Sequence, residues 1–356
     1  MSGDSPKKKL SRKIREALSS GKNRAIIRRN LYESRVRAHR WRANVVRKKG
    51  YTVVSKGTLS KIKKYARGRF GSAGYWPWLA AYTEVREDFI EGWIGDDFFS
   101  EYINPRLNPL EIRKISKKKT LQSRLLRGYC VPGLFSRVNG CFYADDGAPI
   151  SEDEALSAIT NDLEYVVKPD DGSGGRGLVF VKGFEVNREL EKTGGDVQVQ
   201  EKIEQHKVMA RLNASSVNTI RIITYLDSDR GAIFNLSSRV RIGRRDSKTD
   251  NTSSGGLFVG ICQKGKTDGV IRWDDCTVCG ATHPDTGVNV QRMVIPNHSR
   301  AVDLAKEAHW HMPYLRLIGW DIIVPPDGEP KIIEWNADKI RWTRDEALYG
   351  PLLPSY

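Results

Sequence analysis

Tyr165–Phe180, YVVKPDDGSGGRGLVF, is the stretch on which the fold turns. A run of β-branched and aromatic residues reaches Lys168, then Pro169 and two Asp. Four glycines follow within six residues, with Arg176 among them, before a second apolar run, Leu178–Phe180. The pattern predicts strand, phosphate-sized loop, strand. Gly172, Gly174, Gly175 and Gly177 tolerate positive φ and close backbone approach, so successive N–H groups can turn toward one anion. Ser173 sits between them, and Lys168 and Arg176 supply positive charge. An ordinary hairpin closed by a long glycine turn has the same local pattern, so the rest of the chain must decide.

The deciding observation lies near the C-terminal end. Asp321 stands in GWDIIV, and Glu334 and Asn336 stand in IIEWNAD, on two apolar runs joined by the tight Pro325–Gly328 turn. Residues two apart on an extended segment face the same way, so Glu334 and Asn336 share a face that an Asp on the neighbouring strand can join. Two carboxylates and an amide oxygen on one sheet are hard ligands suited to Mg²⁺, which leaves its other positions to water and nucleotide phosphates.

The chain of 356 residues is long enough for two or three domain-sized units, and 39% hydrophobic residues with nine Trp can build cores. The net charge of +16 is lopsided, because Met1–Lys64 sets its many Lys and Arg against only Asp4, Glu16 and Glu33. Five Cys without an even framework point to free thiols in a reducing compartment. Lys and Arg interrupt the first apolar residues, and no run of 18 apolar residues occurs. The expected location is cytoplasmic, with a peripheral position at the inner face of the membrane open. Cys276, Cys279 and His283 make a single C-x-x-C with a nearby His, a weak zinc signal on its own. His206 and His309 read as packing or surface residues rather than general bases.

Residues 1–10 read as an unstructured leader. Leu10–Lys49 has helical apolar spacing among Arg and Lys, broken near Gly21, and Lys56–Arg69 continues basic and helical. GSAGYWPW (71–78) reads as a turn, with Trp76 and Trp78 as packing residues. A helix broken near Gly92 or Gly95 is expected over Tyr82–Tyr102, and another over Lys119–Arg127. After Val131 short strands with Asp–Gly turns begin. Ser151 and Glu154 have capping-box spacing for a helix over Ser151–Thr160. Asp196–Glu204, DVQVQEKIE, alternates as a half-buried strand ending in charge, and strands are expected at Thr219–Tyr225, Ala232–Val240, Leu257–Cys262, Leu317–Val324 and Lys331–Trp335. The resulting division is a basic helical region (1–70), a helical part (71–130), a unit carrying the glycine loop (131–205) and a core with the Asp321/Glu334 hairpin (206–356).

In order along the chain, KTLQSRLL, VPGLF, YVVKPDDGSGGRGLVF, VQVQEKIEQH, SVNTIRIITY, SSRVRIGRRDSKTDNTSSGG and GWDIIVPPDGEPKIIEWNAD together resemble the ATP-grasp superfamily, and within it the sugar-transfer-associated enzymes. The resemblance spans about Lys117–Tyr349. It implies an α+β ATP-grasp fold, two α+β subdomains enclosing ATP, here preceded by the basic, mainly helical N-terminal region. It implies that Lys168 binds phosphate beneath a lid formed by the glycine loop. Lys119 would be a second phosphate lysine, with Lys117 and Lys118 leaving its register open. Glu201, Lys202, Ile203 and Glu204 would read adenine and ribose, Glu204 being the ribose candidate. Arg221, with Arg239 or Arg241, would face the γ-phosphate and an acyl phosphate. Asn251, in the polar loop Asp246–Gly256, would face substrate, and Asp321, Glu334 and Asn336 would hold Mg²⁺.

The function so implied is an ATP- and Mg²⁺-dependent carboxylate–amine ligase. It would work through an acyl phosphate and attach an amino acid or amine to a sugar acid in surface polysaccharide biosynthesis. Two other readings stay open: a kinase of the same fold acting on a sugar or other hydroxyl, and a non-catalytic basic protein tethered to membrane or nucleic acid. The partners expected are ATP, acid and amine substrates, and an anionic membrane surface or lipid-linked glycan at the basic N-terminus. No nucleic-acid-binding signature accompanies the charge.

Overall fold

A computed structural model describes residues 21–170, 177–252 and 255–353, with the side chains of 21–27 and of residue 263 left out. The leader and the apolar spacing before Gly21 fall outside these residues, as do Gly172, Ser173, Gly174, Gly175 and Arg176 of the glycine loop. The chain forms two units. One runs through Leu107 and takes in Asp275–Thr277 and the chain from Arg341 onward; the other holds Asn108–Asp274 and Val278–Ile340.

The first unit is helical. Helix α1, Gly21–Lys49, is a single helix, and Gly21 stands at its start. Ser34, Ala38, Trp41 and Val45 form its buried stripe at helical spacing. Trp41 packs edge-on to Trp78 (5.3 Å) and Tyr82 (6.0 Å) of α3, Trp76–Arg86. Helix α3 begins inside the stretch expected to be a turn, because Pro77 falls in its first turn, where a missing N–H breaks no hydrogen bond. The chain then leaves the helix at Glu87 in the left-handed region, and helix resumes at Asp96 after Gly95, so the break expected near Gly92 or Gly95 is present and begins at Glu87. Between α1 and α3 lies α2, Lys56–Phe70, capped by Ser55 and Gly71. Glu84 is wholly buried, accepting from Arg42 Nε (2.9 Å), Thr52 Oγ1 (2.6 Å) and Val53 N (3.0 Å). Among the described residues no helix is long and apolar enough to cross a membrane.

The second unit contains two antiparallel sheets. The six-stranded sheet comprises β1 (Phe135–Val138), β2 (Cys141–Ala144), β3 (Pro149–Ile150), β4 (Glu164–Pro169), β5 (Val179–Lys182) and β6 (Val197–Glu201), in the order β3-β2-β1-β6-β4-β5. Tyr165, Val167, Val197 and Val199 turn one face onto a core with Ala155 of α4 (Glu152–Ser157) and Val186 and Leu190 of α5 (Val186–Thr193). Ser151 and Glu154 form the expected capping box.

The seven-stranded sheet comprises β7 (Ile220–Asp227), β8 (Ala232–Ile242), β9 (Leu257–Ile261), β10 (Thr267–Arg272), β11 (Val278–Gly280), β12 (Leu317–Ile323) and β13 (Lys331–Asn336), in the order β11-β10-β9-β8-β7-β12-β13. Ile220, Ile222, Val240, Ile318, Trp320 and Ile322 bury its other face with Ala301, Leu304, Ala305 and Ala308 of α6, His298–Trp310.

His309 lies in that core. Trp320 Nε1 donates to Thr224 Oγ1 (2.7 Å), the Thr224 hydroxyl lies 2.7 Å from His309 Nδ1, and His309 Nε2 lies 2.7 Å from the Leu315 carbonyl. A neutral ring with its proton on Nε2 satisfies the whole chain. Burial pulls the His309 pKa down to about 4, whereas an unfolded His titrates near 6.5. Between these values the unfolded state binds the extra proton, so stability present above pH 6.5 is lost as pH falls toward 4. The full effect is about 3 kcal/mol. A flatter dependence of the unfolding midpoint over this window is expected for His309→Gln, and an unchanged slope would rule the assignment out.

Candidate active site

One row of charge crosses the seven-stranded sheet. Arg239 pairs with Arg221, Arg221 with Asp321, and Asp321 with Glu334. Directly opposed residues share a face, so two arginines and two carboxylates stand side by side over β8, β7, β12 and β13. Arg241 and Asn336, each two residues further along, lie on the same face. The register slips between Asp321 and Ile322, leaving Ile333 as an extra residue in β13 just before Glu334. Such bulges re-aim a side chain beside a site.

Within the row Asp321 Oδ1 lies 3.0 Å from Arg221 Nε and 2.9 Å from Arg241 Nη1. These are ion-pair distances, yet the oxygen and Arg221 Nε and Nη1 form no aligned hydrogen bond. Arg241 Nη2 also reaches Asp250 Oδ1 at 2.7 Å, and Asp250 Oδ2 accepts from the Thr219 N–H and hydroxyl. Burial opposes the charge on Arg241, but Asp250 and Asp321 hold its pKa above the ordinary arginine value. Arg221 is pulled lower by burial, which Asp321 offsets only in part. Burial first and then Asp321 push the Glu334 pKa up, against Lys119, Arg221 and Arg241. Among the described residues none donates a hydrogen bond to Glu334.

The six-stranded sheet supplies the opposing side. On β4, Val166 and Lys168 point away from the apolar core, beside Phe180 of β5 and Gln200 of β6. Lys168 Nζ donates to Gln200 Oε1. Burial draws the Lys168 pKa down to about 8, with Glu334 opposing and Lys119 adding to the fall. The neighbouring lysines separate by partner. Lys117 binds Asp338 (2.7 Å), Lys118 binds Asp170 (3.3 Å), and Lys119 donates to the Pro169 carbonyl (2.8 Å) beside Lys168. Of the three, Lys119 is the one whose charge acts on both Lys168 and Glu334.

Between the sheets opens a solvent-accessible cleft. Val166, Leu178, Phe180, Val217 and Ile333 give it apolar walls, and Lys168, Arg241, Asp321 and Glu334 its charged end. The family model described as sugar-transfer associated ATP-grasp matches residues 190–345. That segment belongs to the ATP-grasp superfamily, in its sugar-transfer-associated family. The matched segment takes in β6 of the six-stranded sheet and the whole of the seven-stranded sheet.

Among solved structures, biotin carboxylase from Campylobacter jejuni is 14% identical over 65% of this chain and 43% of its own, with a TM-score of 0.42. D-alanine–D-alanine ligase from Bacillus anthracis complexed with ATP is 15% identical over 67% of this chain and 64% of its own, at a TM-score of 0.37. VanG D-Ala:D-Ser ligase from Enterococcus faecalis is 12% identical over 63% and 53%, at 0.38. This chain thus spans less than half of the carboxylase. No significant match is found among curated proteins.

The cleft gathers eight of the site residues expected from sequence. Lys168, Glu201, Lys202, Ile203, Arg241, Asn251, Asp321 and Glu334 line it. Arg221 and Arg239 lie behind Asp321 in the row, and Asn336 stands one pleat beyond Glu334, outside the lining. Glu204 is not brought in. The strand ends at Glu201, and Glu204, the ribose candidate, is exposed and is not among the residues that line the cleft. Strand β6 is also buried on both faces rather than half-buried: Gln200 lines the cleft, and Gln198 on the same face is buried as well. Gly177, at φ +79°, leads the loop back into β5. Cys276 Sγ donates to the Arg344 carbonyl, and His283 Nδ1 faces the N–H groups of Asp285 and Thr286 in its own turn. No group of three His, Cys, Asp or Glu suited to a metal occurs among the described residues.

Sequence reasoning passed over Gly319, which pairs with Asn336 and Ile223. A Cβ built there would sit 2.8 Å from Arg221 Nη1. Gly319→Val should therefore displace the guanidinium from Asp321. A misplacement of this size reduces turnover on the order of 10²-fold, and steady-state kinetics that match wild type would exclude a role for the Arg221 pose.

Proposed function

We propose that the chain is an ATP- and Mg²⁺-dependent carboxylate–amine ligase that works through an acyl phosphate. The observation that carries this reading is Asp321 in register with Glu334 on one wall of the cleft, with Lys168 on the other. The donor set fits a hard cation. Glu334 is raised by burial and by Asp321 and receives no hydrogen bond from the described residues, and Asn336 adds a neutral oxygen on the same face. Asp321, Glu334 and Asn336 would hold Mg²⁺, which when bound would neutralise the negative charge of the phosphates.

The chain's own residues account for the rest. The apolar walls suit a base. Lys202 N already donates to the Glu164 carbonyl (2.8 Å), so the base is left to the other backbone groups of Glu201–Ile203. Lys168 and Lys119 meet phosphate. Arg221, Arg239 and Arg241 face the charge that spreads as the γ-phosphoryl group passes to a carboxylate oxygen. An amine then attacks the acyl carbon, phosphate leaves with the bonding pair, and the amine proton is released. Asn251, on the cleft wall, would face the acceptor.

We take the acid to be a sugar acid and the setting to be surface polysaccharide biosynthesis, on the strength of the family alone. The exposed Arg40, Arg47, Lys56, Lys64 and Arg67 of α1 and α2 suit an anionic membrane surface or lipid-linked glycan. Deleting this region would remove Trp41 and Val45 from the first unit's core, so charge substitution on the exposed faces is the appropriate probe.

A screen of sugar acids against amino acids, with ADP and phosphate measured in parallel, tests the reaction. Equal ADP and phosphate only when acid and amine are both present is the expected result. ADP without phosphate would instead make the protein a kinase, and no ATP turnover with any pair would remove the enzymatic reading.

A further inference from the structure

Two buried glutamines lie where the halves of the cleft join, and neither belongs to the ligand sets above. Gln200, 4% exposed, accepts from Lys168 Nζ through Oε1, while its Nε2 donates to the carbonyls of Val131 (2.9 Å) and Pro132 (2.8 Å). Those two donations fix which end of the amide faces the lysine. The same segment reaches the other sheet. Val131 N donates to the Ile332 carbonyl (2.9 Å), and Ile332 N donates to the Tyr129 carbonyl (2.9 Å), two residues before Glu334. Gln122, 7% exposed, donates through Nε2 to the carbonyl of Ile333, the bulge residue, at 2.7 Å. Gln122 comes from KTLQSRLL, whose Lys119 is given to phosphate, and the carbonyls that accept from Gln200 come from the start of VPGLF; the phosphoryl-transfer chemistry assigns neither Gln122 nor VPGLF a task.

We propose that Gln200 and Gln122 are positioning residues that set the Lys168 ammonium and the Glu334 carboxylate in register across the cleft, through the shared segment Tyr129–Pro132. This rests on reading the cleft as a phosphoryl-transfer site. An amide suits the task better than a carboxylate. It holds the ammonium by a hydrogen bond without neutralising it, so the charge of Lys168 stays available to phosphate. Gln122 acts on the opposite wall, where its amide donates to the carbonyl of the bulge residue just before Glu334.

Two measurements on the full-length protein test this. The first needs no nucleotide. The ¹⁵Nζ resonance of Lys168, assigned with Lys168→Met, should lose its exchange protection in Gln200→Met and keep it in Gln200→Glu, which retains the acceptor. An unchanged resonance in Gln200→Met would overturn the proposal whether or not the protein binds ATP.

The second is a double-mutant cycle on ATP affinity. Gln200→Met alone should weaken ATP binding about tenfold, but less than about twofold in the Lys168→Met background. An equal tenfold loss in both backgrounds would mean that Gln200 is merely structural. Gln122→Met should lower kcat with little change in KM for ATP, and a change in KM alone would contradict its assignment to the Glu334 wall. Wild-type protein that binds no ATP would sink the functional reading but leave the first measurement able to judge the glutamines.

Discussion

Replacing Glu334 by Gln should abolish ATP turnover, by about 10³-fold or more, without lowering the unfolding midpoint. Glutamine keeps the shape of the side chain and removes the charge that would hold the cation opposite phosphate. The stability side follows from the same environment. Burial and Asp321 raise the Glu334 pKa above its unfolded value of about 4.5. A raised carboxyl is easiest to bury when protonated in both states, and stability falls as pH rises through the unfolded value toward the folded one. At neutral pH the wild type carries this penalty and the variant does not. Retained turnover in a folded Glu334→Gln protein would end the ligase and kinase readings together.

Lys168→Met should raise the KM for ATP by about 10²-fold, and in the wild type ATP affinity should decline as pH rises through about 8, where burial places the Lys168 pKa. The direction is fixed by the group, since a lysine that loses its proton loses its hold on phosphate. Lys168→Arg should remove this alkaline limb. Stability runs the opposite way. The unfolded lysine keeps its proton to about 10.5, so between pH 8 and 10.5 the unfolded state binds the extra proton and folding becomes more favourable with rising pH. Below pH 8 the buried charge costs about 3 kcal/mol, which Lys168→Met relieves. Both variants therefore trade function for stability, as expected where like charges are buried ready for a ligand.

Much of this site was legible before the structure. The two-residue spacing of Glu334 and Asn336, the apolar runs around Asp321 and the lysine ahead of the glycines all carry a periodicity that survives folding. What stayed hidden depends on pairing. That Asp321 sits opposite Glu334, and that Ile333 bulges beside it, is a matter of register between strands, which no single segment encodes. Gln198 and Gln200 alternate with valines as a solvent face would, because alternation cannot distinguish water from a buried polar face. In the loop Asp246–Gly256 the composition pointed to Asn251, while Asp250 is the buried residue that ties Thr219 to Arg241. Strands β10 and β11 went unread because Gly269, Asp268 and Gly280 break their patterns.

The most direct test of the account is anomalous diffraction from crystals grown with Mn²⁺ in place of Mg²⁺ and a non-hydrolysable ATP analogue. The account predicts a Mn²⁺ peak against Glu334 and Asp321, with the analogue's phosphates between it and Lys168. A nucleotide seated elsewhere, or a metal peak away from both carboxylates, would contradict it.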